Sequence, residues 1–157
     1  MLSLVSATGF DTTVANEKSV AREAARLIHT FADASAPKVT LLTGETYGSA
    51  YLTMNSGHIG ADLVYAWPTA SVGMMPAENA VKIIYNDEID ASDDAQGLIA
   101  EKAAAYAALQ TSPESAAGSG YVDGVIETES TRQHLIAAFE MLYSKRVVRP
   151  SKKHSTL

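Results

Sequence analysis

The chain has 157 residues and a formal net charge of −6, and 46% of its residues are hydrophobic while 19% are charged. That length suits one compact domain, and the composition excludes a disordered chain. The absence of cysteine excludes a disulfide framework, thiol catalysis and cysteine-based metal sites. The four histidines have no metal-ligand spacing, so we predict that the protein binds no metal.

The basic residues are concentrated at one end of the chain. Residues 144–157 contain five lysines and arginines and no acidic residue, so the rest of the chain is strongly acidic. We interpret this segment as a basic C-terminal tail that is either solvated or binds one phosphorylated ligand. An acidic body argues against nucleic-acid binding. Because we find neither a long apolar stretch nor a basic leader, we expect a cytoplasmic protein.

The first half of the chain alternates between strand and helix patterns. Apolar segments of strand length are separated by residues with a helical repeat of three and four positions. The predicted elements are a strand at 2–7, a helix capped by Asn16 that ends near Ala34, a strand at 38–43, a turn from Gly44 to Tyr51, a short helix at 49–55 and a strand at 62–67 closed by Pro68.

The second half continues the alternation. The predicted elements are a strand at 70–75, a helix from Pro76 to Tyr85, a helix capped by residues 92–94 that ends at Leu109, a loop at 111–120, a strand at 121–126 and a helix opened by a capping box of Ser130 and Gln133. This order predicts an α/β layered domain with largely parallel strands, in which ligands bind where strands lead into helices.

The turn before the short helix carries the clearest chemical pattern. It contains Gly48, Ser49 and Ala50, whose small side chains let backbone N–H groups approach a ligand. The positive end of a helix adds to this, so the amides suit a developing oxyanion or enolate. A tight junction that needs small residues only for packing explains the same pattern, and both interpretations stay open.

Ser49 allows a different hypothesis. Some peptidases and esterases place their nucleophile at the start of a helix after a strand, and His58 and Asp62 lie close in the sequence. The Gly-x-Ser-x-Gly motif is absent, so a hydroxyl that caps the helix is the favoured role for Ser49.

Several motifs occur in one order along nearly all of the chain. They are Thr46-Tyr47-Gly48-Ser49-Ala50-Tyr51, the spaced residues Met54, Ser56, Gly60, Ala61 and Asp62, the tripeptide Ala66-Trp67-Pro68, the run from Gly120 to Asp123, and Lys152-Lys153-His154. With these motifs the chain resembles the C-terminal lobe of biotin-dependent acyl-CoA carboxyltransferases. That family includes propionyl-CoA and methylmalonyl-CoA carboxylase β subunits and the α subunits of sodium-pumping acyl-CoA decarboxylases.

The resemblance implies a crotonase-like spiral of repeated β-β-α units, with residues 1–157 forming part of the lobe. It implies transfer of a carboxylate between biotin on a separate carrier and the α-carbon of an acyl-CoA through an enolate. The biotin-side oxyanion hole then maps onto the backbone amides of Ser49 and Ala50, beside Gly48. The implied substrate-binding residues are Tyr47, Tyr51 and Leu52, of which Leu52 stands at the position that tunes acyl-chain size.

The resemblance also implies partners. They are an acyl-CoA-binding lobe or subunit, a biotin carrier protein and further copies of the chain, with a membrane involved only indirectly through a sodium pump. Because the acyl-CoA lobe is absent, we interpret the chain as a split or truncated subunit, and a non-catalytic assembly module is a third hypothesis. The chain departs from the family at Ser49, which replaces a glycine, at Gly44 and Glu45, which replace basic residues, and at Pro76, which has no N–H.

Overall fold

Five strands, all parallel, form one sheet in the computed structural model, which describes residues 1–148. The strand order is β1-β2-β3-β5, and β4 pairs with β2 beyond the end of that path. The strands are β1 (Leu2–Ala7), β2 (Val39–Tyr47), β3 (Leu63–Ala66), β4 (Ser71–Gly73) and β5 (Gly124–Val125). The predicted α/β layering with parallel pairing is confirmed.

Eight α-helices connect or flank the strands within the described part of the chain. They are α1 (Val14–Glu17), α2 (Val20–Asp33), α3 (Gly48–Thr53), α4 (Ala77–Ile84), α5 (Asn86–Asp90), α6 (Ala95–Tyr106), α7 (Pro113–Gly118) and α8 (Thr131–Met141). Short 3₁₀ turns cover Gly57–Ile59 and Thr128–Ser130, and a π-helical turn covers Ala107–Thr111. Among residues 1–148, no helix combines the length and the apolar character that crossing a membrane requires.

Strand β2 is longer than predicted because it serves two ladders. Residues 39–42 pair with β1 on one side and β3 on the other, whereas residues 45–47 pair with β4. The prediction that a turn begins at Gly44 is therefore wrong, because the strand continues to Tyr47. Thr46 donates a side-chain hydrogen bond to the carbonyl of Ser71 at 2.6 Å, which fixes the second ladder. A glycine suits position 44 of the strand, because a Cβ there would lie 2.7 Å from the hydroxyl oxygen of Ser6.

The predicted helix from Asn16 to Ala34 is two helices, and its cap is wrong. Thr13 is the cap, since its side chain accepts the Asn16 N–H, while the Asn16 amide donates to Asp11 at 2.9 Å. The helix is interrupted between Glu17 and Val20, and α2 then ends at Asp33, within one residue of the predicted end.

The predicted loop at 111–120 is also wrong, because it contains α7. The Ser112 hydroxyl accepts the Ser115 N–H at 3.1 Å, and Pro113 occupies the first turn, where its missing N–H costs nothing. The predicted capping box does not form either, since the Ser130 hydroxyl instead donates to the carbonyl of Glu127 at 2.9 Å.

The two helices in the middle of the chain differ from prediction at their ends. Pro76 is the cap of α4 and not its first residue. Asp94 caps α6 as predicted, because its carboxylate accepts the Gly97 N–H at 2.9 Å, but α6 ends at Tyr106 and a π-helical turn follows. The short helix α5 was not predicted.

The core lies between the sheet and the segments that follow its strands. Its buried members are Val5, Leu42, Tyr51, Val64, Ala66, Ala70, Val72, Ala116 and Val122. Asn55, which has a φ of 61°, ends the short helix region and donates from its side-chain amide to the Thr40 hydroxyl at 3.0 Å. This buried bond ties the segment that follows α3 to the start of β2.

Candidate functional site

The candidate site is centred on the turn from β2 into α3. Gly48 has a φ of +61°, in the region that favours glycine. A Cβ on Gly48 would also lie 3.1 Å from the carbonyl oxygen of Met74, just beyond β4. The second ladder of β2 therefore brings the exit of β4 against the turn, and a glycine is required at the contact.

The amides of Ser49 and Ala50 belong to the first turn of α3, where N–H groups have no acceptor within the helix. The Ser49 side chain is exposed, and Ala50 is buried. The Ser49 carbonyl accepts the Thr53 hydroxyl at 2.8 Å, which stabilises this short helix internally. The structure thus places small residues at the start of a helix that follows β2. The predicted capping role of the Ser49 hydroxyl is wrong, because Tyr47 is the cap of α3 and no side chain in the described part of the chain caps this helix.

A pocket of about 410 Å³ lies beside the turn. It collects residues that are far apart in the chain: Gly48, Tyr51 and Leu52 from α3, Gly73 and Met74 from the end of β4, Gln110 and Thr111 from the π-helical turn, and His58, Ser115 and Tyr121. A Cβ at Gly73 would meet the Thr111 methyl at 3.1 Å, so β4 packs closely on the π-helical turn.

Of the predicted site residues, Tyr51 and Leu52 line this pocket together with Gly48, whereas Tyr47, Ser49 and Ala50 do not line it. Tyr47 is the buried last residue of β2 and supports the turn from within the sheet. The Tyr51 hydroxyl is buried, and it has no hydrogen-bond partner among residues 1–148. Burial raises the pKa of the Tyr51 phenol, so this group is a neutral donor.

Aromatic side chains form one wall of the pocket. The His58 and Tyr121 rings stack with centroids 5.0 Å apart and an interplanar angle of 25°, and Tyr51 meets His58 edge-on at 6.3 Å. The sequence did not predict that His58 and Gln110 line the pocket. The run from Gly120 to Asp123 contained the only available signal, since it includes Tyr121.

The predicted partners of a serine nucleophile do not meet Ser49. His58 is held in the aromatic wall, and Asp62 accepts the Lys38 N–H at 2.7 Å and the Lys145 ammonium at 2.8 Å. Neither His58 nor Asp62 is hydrogen-bonded to Ser49 in the described residues. No group of three metal-ligating side chains occurs between residues 1 and 148.

The basic tail is only partly described. Lys145 joins Asp62, and the Arg146 guanidinium donates to the carbonyl of Lys145 at 2.8 Å. The motif Lys152-Lys153-His154 lies outside the described residues.

Comparison with known proteins shows the family of this chain. Residues 1–157 match the family model of the carboxyl transferase domain. The chain is 40% identical over 158 residues to the carboxyltransferase subunit of propionyl-CoA carboxylase from Haloferax mediterranei, which covers 100% of this chain and 31% of that protein. It is 39% identical over 155 residues to the 12S subunit of methylmalonyl-CoA carboxyltransferase from Propionibacterium freudenreichii, covering 98% of this chain and 30% of that subunit.

A solved structure shows the same fold. The transcarboxylase 12S crystal structure, a hexamer with methylmalonyl-coenzyme A bound, superposes with a TM-score of 0.93 at 38% identity, over 99% of this chain and 30% of that one. The predicted crotonase-like fold is confirmed. The chain spans about three-tenths of the length of these relatives. With every one of its residues inside the match, the chain belongs to the carboxyl transferase domain family.

Proposed function

We propose that this chain is a component of a carboxyltransferase that moves a carboxylate between biotin on a carrier protein and the α-carbon of an acyl-CoA. The observation that carries the proposal is the turn at Gly48, which lines a pocket and begins a helix whose first turn includes the amides of Ser49 and Ala50, in a chain of this family. A backbone oxyanion hole needs no nucleophilic side chain, which agrees with an exposed Ser49 to which no histidine within residues 1–148 is hydrogen-bonded.

The residues beside the turn fit biotin. The pocket wall beside the turn is aromatic, so a planar, neutral ureido group with a carbonyl acceptor suits the surface. When bound, biotin would supply a ureido ring whose nitrogen carries the carboxylate and whose oxygen becomes negative when that group leaves as CO₂ and its bonding electron pair stays on the ring. We assign the amides of Ser49 and Ala50 to that oxygen. Fixed N–H donors stabilise such charge more in the transition state than in the ground state.

The side chains of the turn have separate roles in this proposal. Leu52, half-buried in the pocket wall, limits the size of the acyl group. Tyr51 contributes its ring to the same wall, and Tyr47, buried in the sheet, holds the turn in place without contacting the substrate. Pro76 cannot donate an N–H, so the loop after β4 contributes no amide at that position.

The proposal requires partners, because the relatives are about three times as long as this chain. We infer that residues 1–157 are part of a carboxyltransferase C-terminal lobe with a basic tail at 144–157, and that the acyl-CoA is held by a lobe or subunit outside them. A biotin carrier protein delivers the carboxylate. Homo-oligomerisation is supported by the hexameric 12S relative. We propose the cytoplasm as the location, where acyl-CoA and biotinylated carriers are available.

The test is a chimera of the Propionibacterium freudenreichii 12S subunit in which this chain replaces the segment that it matches. We expect the chimera to transfer a labelled carboxylate from biotin to propionyl-CoA, and Ser49→Ala to leave that rate within about twofold, because a backbone amide survives the change. A folded chimera without transfer contradicts the proposal and supports an assembly module. Loss of transfer in Ser49→Ala, together with labelling of Ser49 by a fluorophosphonate, supports a hydrolase instead.

A further inference from the structure

The pocket beside Gly48 contains one amide side chain that the proposed function does not use. Gln110 lines this pocket, and its side chain is exposed. Within residues 1–148 the Gln110 amide has no hydrogen-bond partner. A primary amide carries two donors and an acceptor oxygen, so it can both donate to a hydroxyl group of a ligand and accept from it.

The segment that carries Gln110 is held in place by its neighbours. It is the π-helical turn Ala107–Thr111, which follows α6. The Ser115 hydroxyl donates to the carbonyl of Leu109 at 2.8 Å, and Thr111 is buried. The residues on either side of Gln110 are therefore fixed while its own side chain stays unbound. Turns of this kind are rare and occur frequently at functional sites.

Two close contacts connect the π-helical turn to the turn at Gly48. A Cβ on Gly48 would lie 3.1 Å from the carbonyl oxygen of Met74. A Cβ on Gly73 would lie 3.1 Å from the methyl carbon of Thr111. Because Gly73 and Met74 are consecutive, the exit of β4 lies between the two turns. Gln110 and Gly48 therefore line one pocket from two sides of this strand end.

The rest of the lining indicates which ligands the pocket accepts. No Asp, Glu, Lys or Arg between residues 1 and 148 lines it, so an ionised group on a ligand would meet no counter-ion there, and an unpaired buried charge is costly. Leu52 and Val72 accept an alkyl chain. A wholly apolar ligand, however, would displace water from the Gln110 amide and leave that amide without a partner. The lining therefore fits an alkyl chain with an uncharged polar group.

We propose that Gln110 determines acyl-group specificity at this site, because its side-chain amide hydrogen-bonds a hydroxyl group on the acyl chain. The acyl-CoA that fits this chain best then carries a hydroxyl beyond its α-carbon. The inference rests on the proposed function and names the class of its substrate. Leu52 limits the size of the acyl group, and Gln110, in the same lining, selects its polarity.

The experiment uses the 12S chimera described above and pairs of CoA esters in which a hydroxyl replaces a methyl group. The pairs are 3-hydroxybutyryl-CoA with 3-methylbutyryl-CoA, 4-hydroxybutyryl-CoA with pentanoyl-CoA, and 5-hydroxypentanoyl-CoA with hexanoyl-CoA. In at least one pair, Gln110→Leu should lower the ratio of kcat/KM for the hydroxylated ester to that for its partner about tenfold or more. A residue with only a structural role would change both values equally and leave the ratio unaltered.

Gln96→Leu is the matched control, because Gln96 is an exposed residue of α6 that does not line the pocket. It should leave all three ratios unchanged. Gln110→Met removes the amide with an unbranched side chain and should repeat the effect of Gln110→Leu. Unchanged ratios in both Gln110 variants would overturn the inference, and so would an equal change in Gln96→Leu.

Calorimetric binding of the same esters separates this inference from the proposed function, because binding requires no carboxyl transfer. A chimera that transfers no carboxylate, but binds a hydroxylated ester about tenfold more tightly than its Gln110→Leu variant does, contradicts the function and leaves the role of Gln110 intact. A chimera that transfers carboxylate with the same ratios in Gln110→Leu contradicts the role of Gln110 and leaves the function intact. A chimera with neither transfer nor Gln110-dependent binding contradicts both.

Discussion

Asp62 and Lys145 form an ion pair between the start of β3 and the segment after α8, with the ammonium 2.8 Å from the carboxylate. The pair is largely shielded, since the Lys145 side chain is 16% exposed and the Asp62 side chain 19%. Asp62 also accepts the Lys38 N–H at 2.7 Å, at the start of β2. One carboxylate therefore joins three separate segments, and the aspartate of the Gly-Ala-Asp motif has a structural role.

Replacing Asp62 by asparagine should destabilise the protein. The change removes a charged acceptor from two hydrogen bonds in a shielded place, so we expect the free energy of unfolding to fall by about 1–3 kcal/mol. Urea unfolding measures the change. Glu23→Gln is the control, because its contacts with Arg22 and Arg26 are exposed and should contribute about 0.5 kcal/mol or less. Equal effects of the two variants would contradict the structural role of Asp62.

Replacing Gly48 by alanine should destabilise the turn and impair the site together. The positive φ of +61° and the 3.1 Å approach of the Met74 carbonyl both oppose a Cβ. We expect a loss of about 1–3 kcal/mol in thermal unfolding. Gly118→Ala is the control, because nothing lies within 4 Å of its Cβ position in α7. That variant should be neutral or slightly more stable, and an unaltered melting temperature in Gly48→Ala would show that the turn is less constrained than described.

Removal of the buried Tyr51 hydroxyl should not destabilise the protein near neutral pH. Because this buried group has no partner among the described residues, Tyr51→Phe should leave stability near neutral pH unchanged or slightly raised. Burial raises the folded pKa of the phenol above its ordinary value of 10.0, so the unfolded state loses its proton first. The contribution of the buried neutral phenol to the free energy of unfolding is therefore fully present below pH 10.0 and is lost as the pH rises through the folded pKa.

Urea unfolding near neutral pH and above pH 10.0 tests this expectation. The alkaline fall in stability should be smaller in Tyr51→Phe than in the native chain. Tyr143→Phe serves as the control for removal of a phenolic hydroxyl, because Tyr143 is 84% exposed, and it should leave stability near neutral pH unchanged. A marked loss of stability in Tyr51→Phe at neutral pH would mean that the hydroxyl does have a partner.

Leu52 should influence acyl-chain size in the 12S chimera. Shortening this half-buried pocket residue to alanine makes room for an additional methylene. We expect the ratio of kcat/KM for butyryl-CoA to that for propionyl-CoA to rise about tenfold. Ile83→Ala, on the exposed side of α4 with 69% exposure, should not change the ratio. An unchanged ratio in Leu52→Ala would remove this residue from the acyl site.

Sequence patterns predicted the fold well wherever the hydrophobic repeat was local. Strand β1 has the predicted bounds, and α3 lies within one or two residues of them. The end of β2 was missed because Gly44, Glu45 and Thr46 interrupt the apolar pattern, and residues 45–47 are stabilised by pairing with β4, a contact that depends on tertiary structure. Helix α7 was missed although Ser112 and Pro113 carry a standard start signal, since the glycines and serines around them favoured a loop.

The site was predictable in part, for a physical reason. The turn at Gly48 is one continuous segment, so its residues could be named from the sequence alone. The pocket wall joins that turn to Met74, Gln110 and Tyr121, and only the parallel ladders and the π-helical turn bring these segments together.

The central claim is that a backbone amide of the turn stabilises the transition state. The most direct measurement replaces Ala50 in the chimera by lactic acid, which exchanges its N–H for an ester oxygen and leaves the side chain unaltered. We expect kcat for carboxyl transfer to fall about 10²- to 10³-fold. The same replacement at Ala77, in the first turn of α4, should leave kcat unchanged. If both replacements leave carboxyl transfer intact, the amide of Ala50 is not part of an oxyanion hole and the account is contradicted.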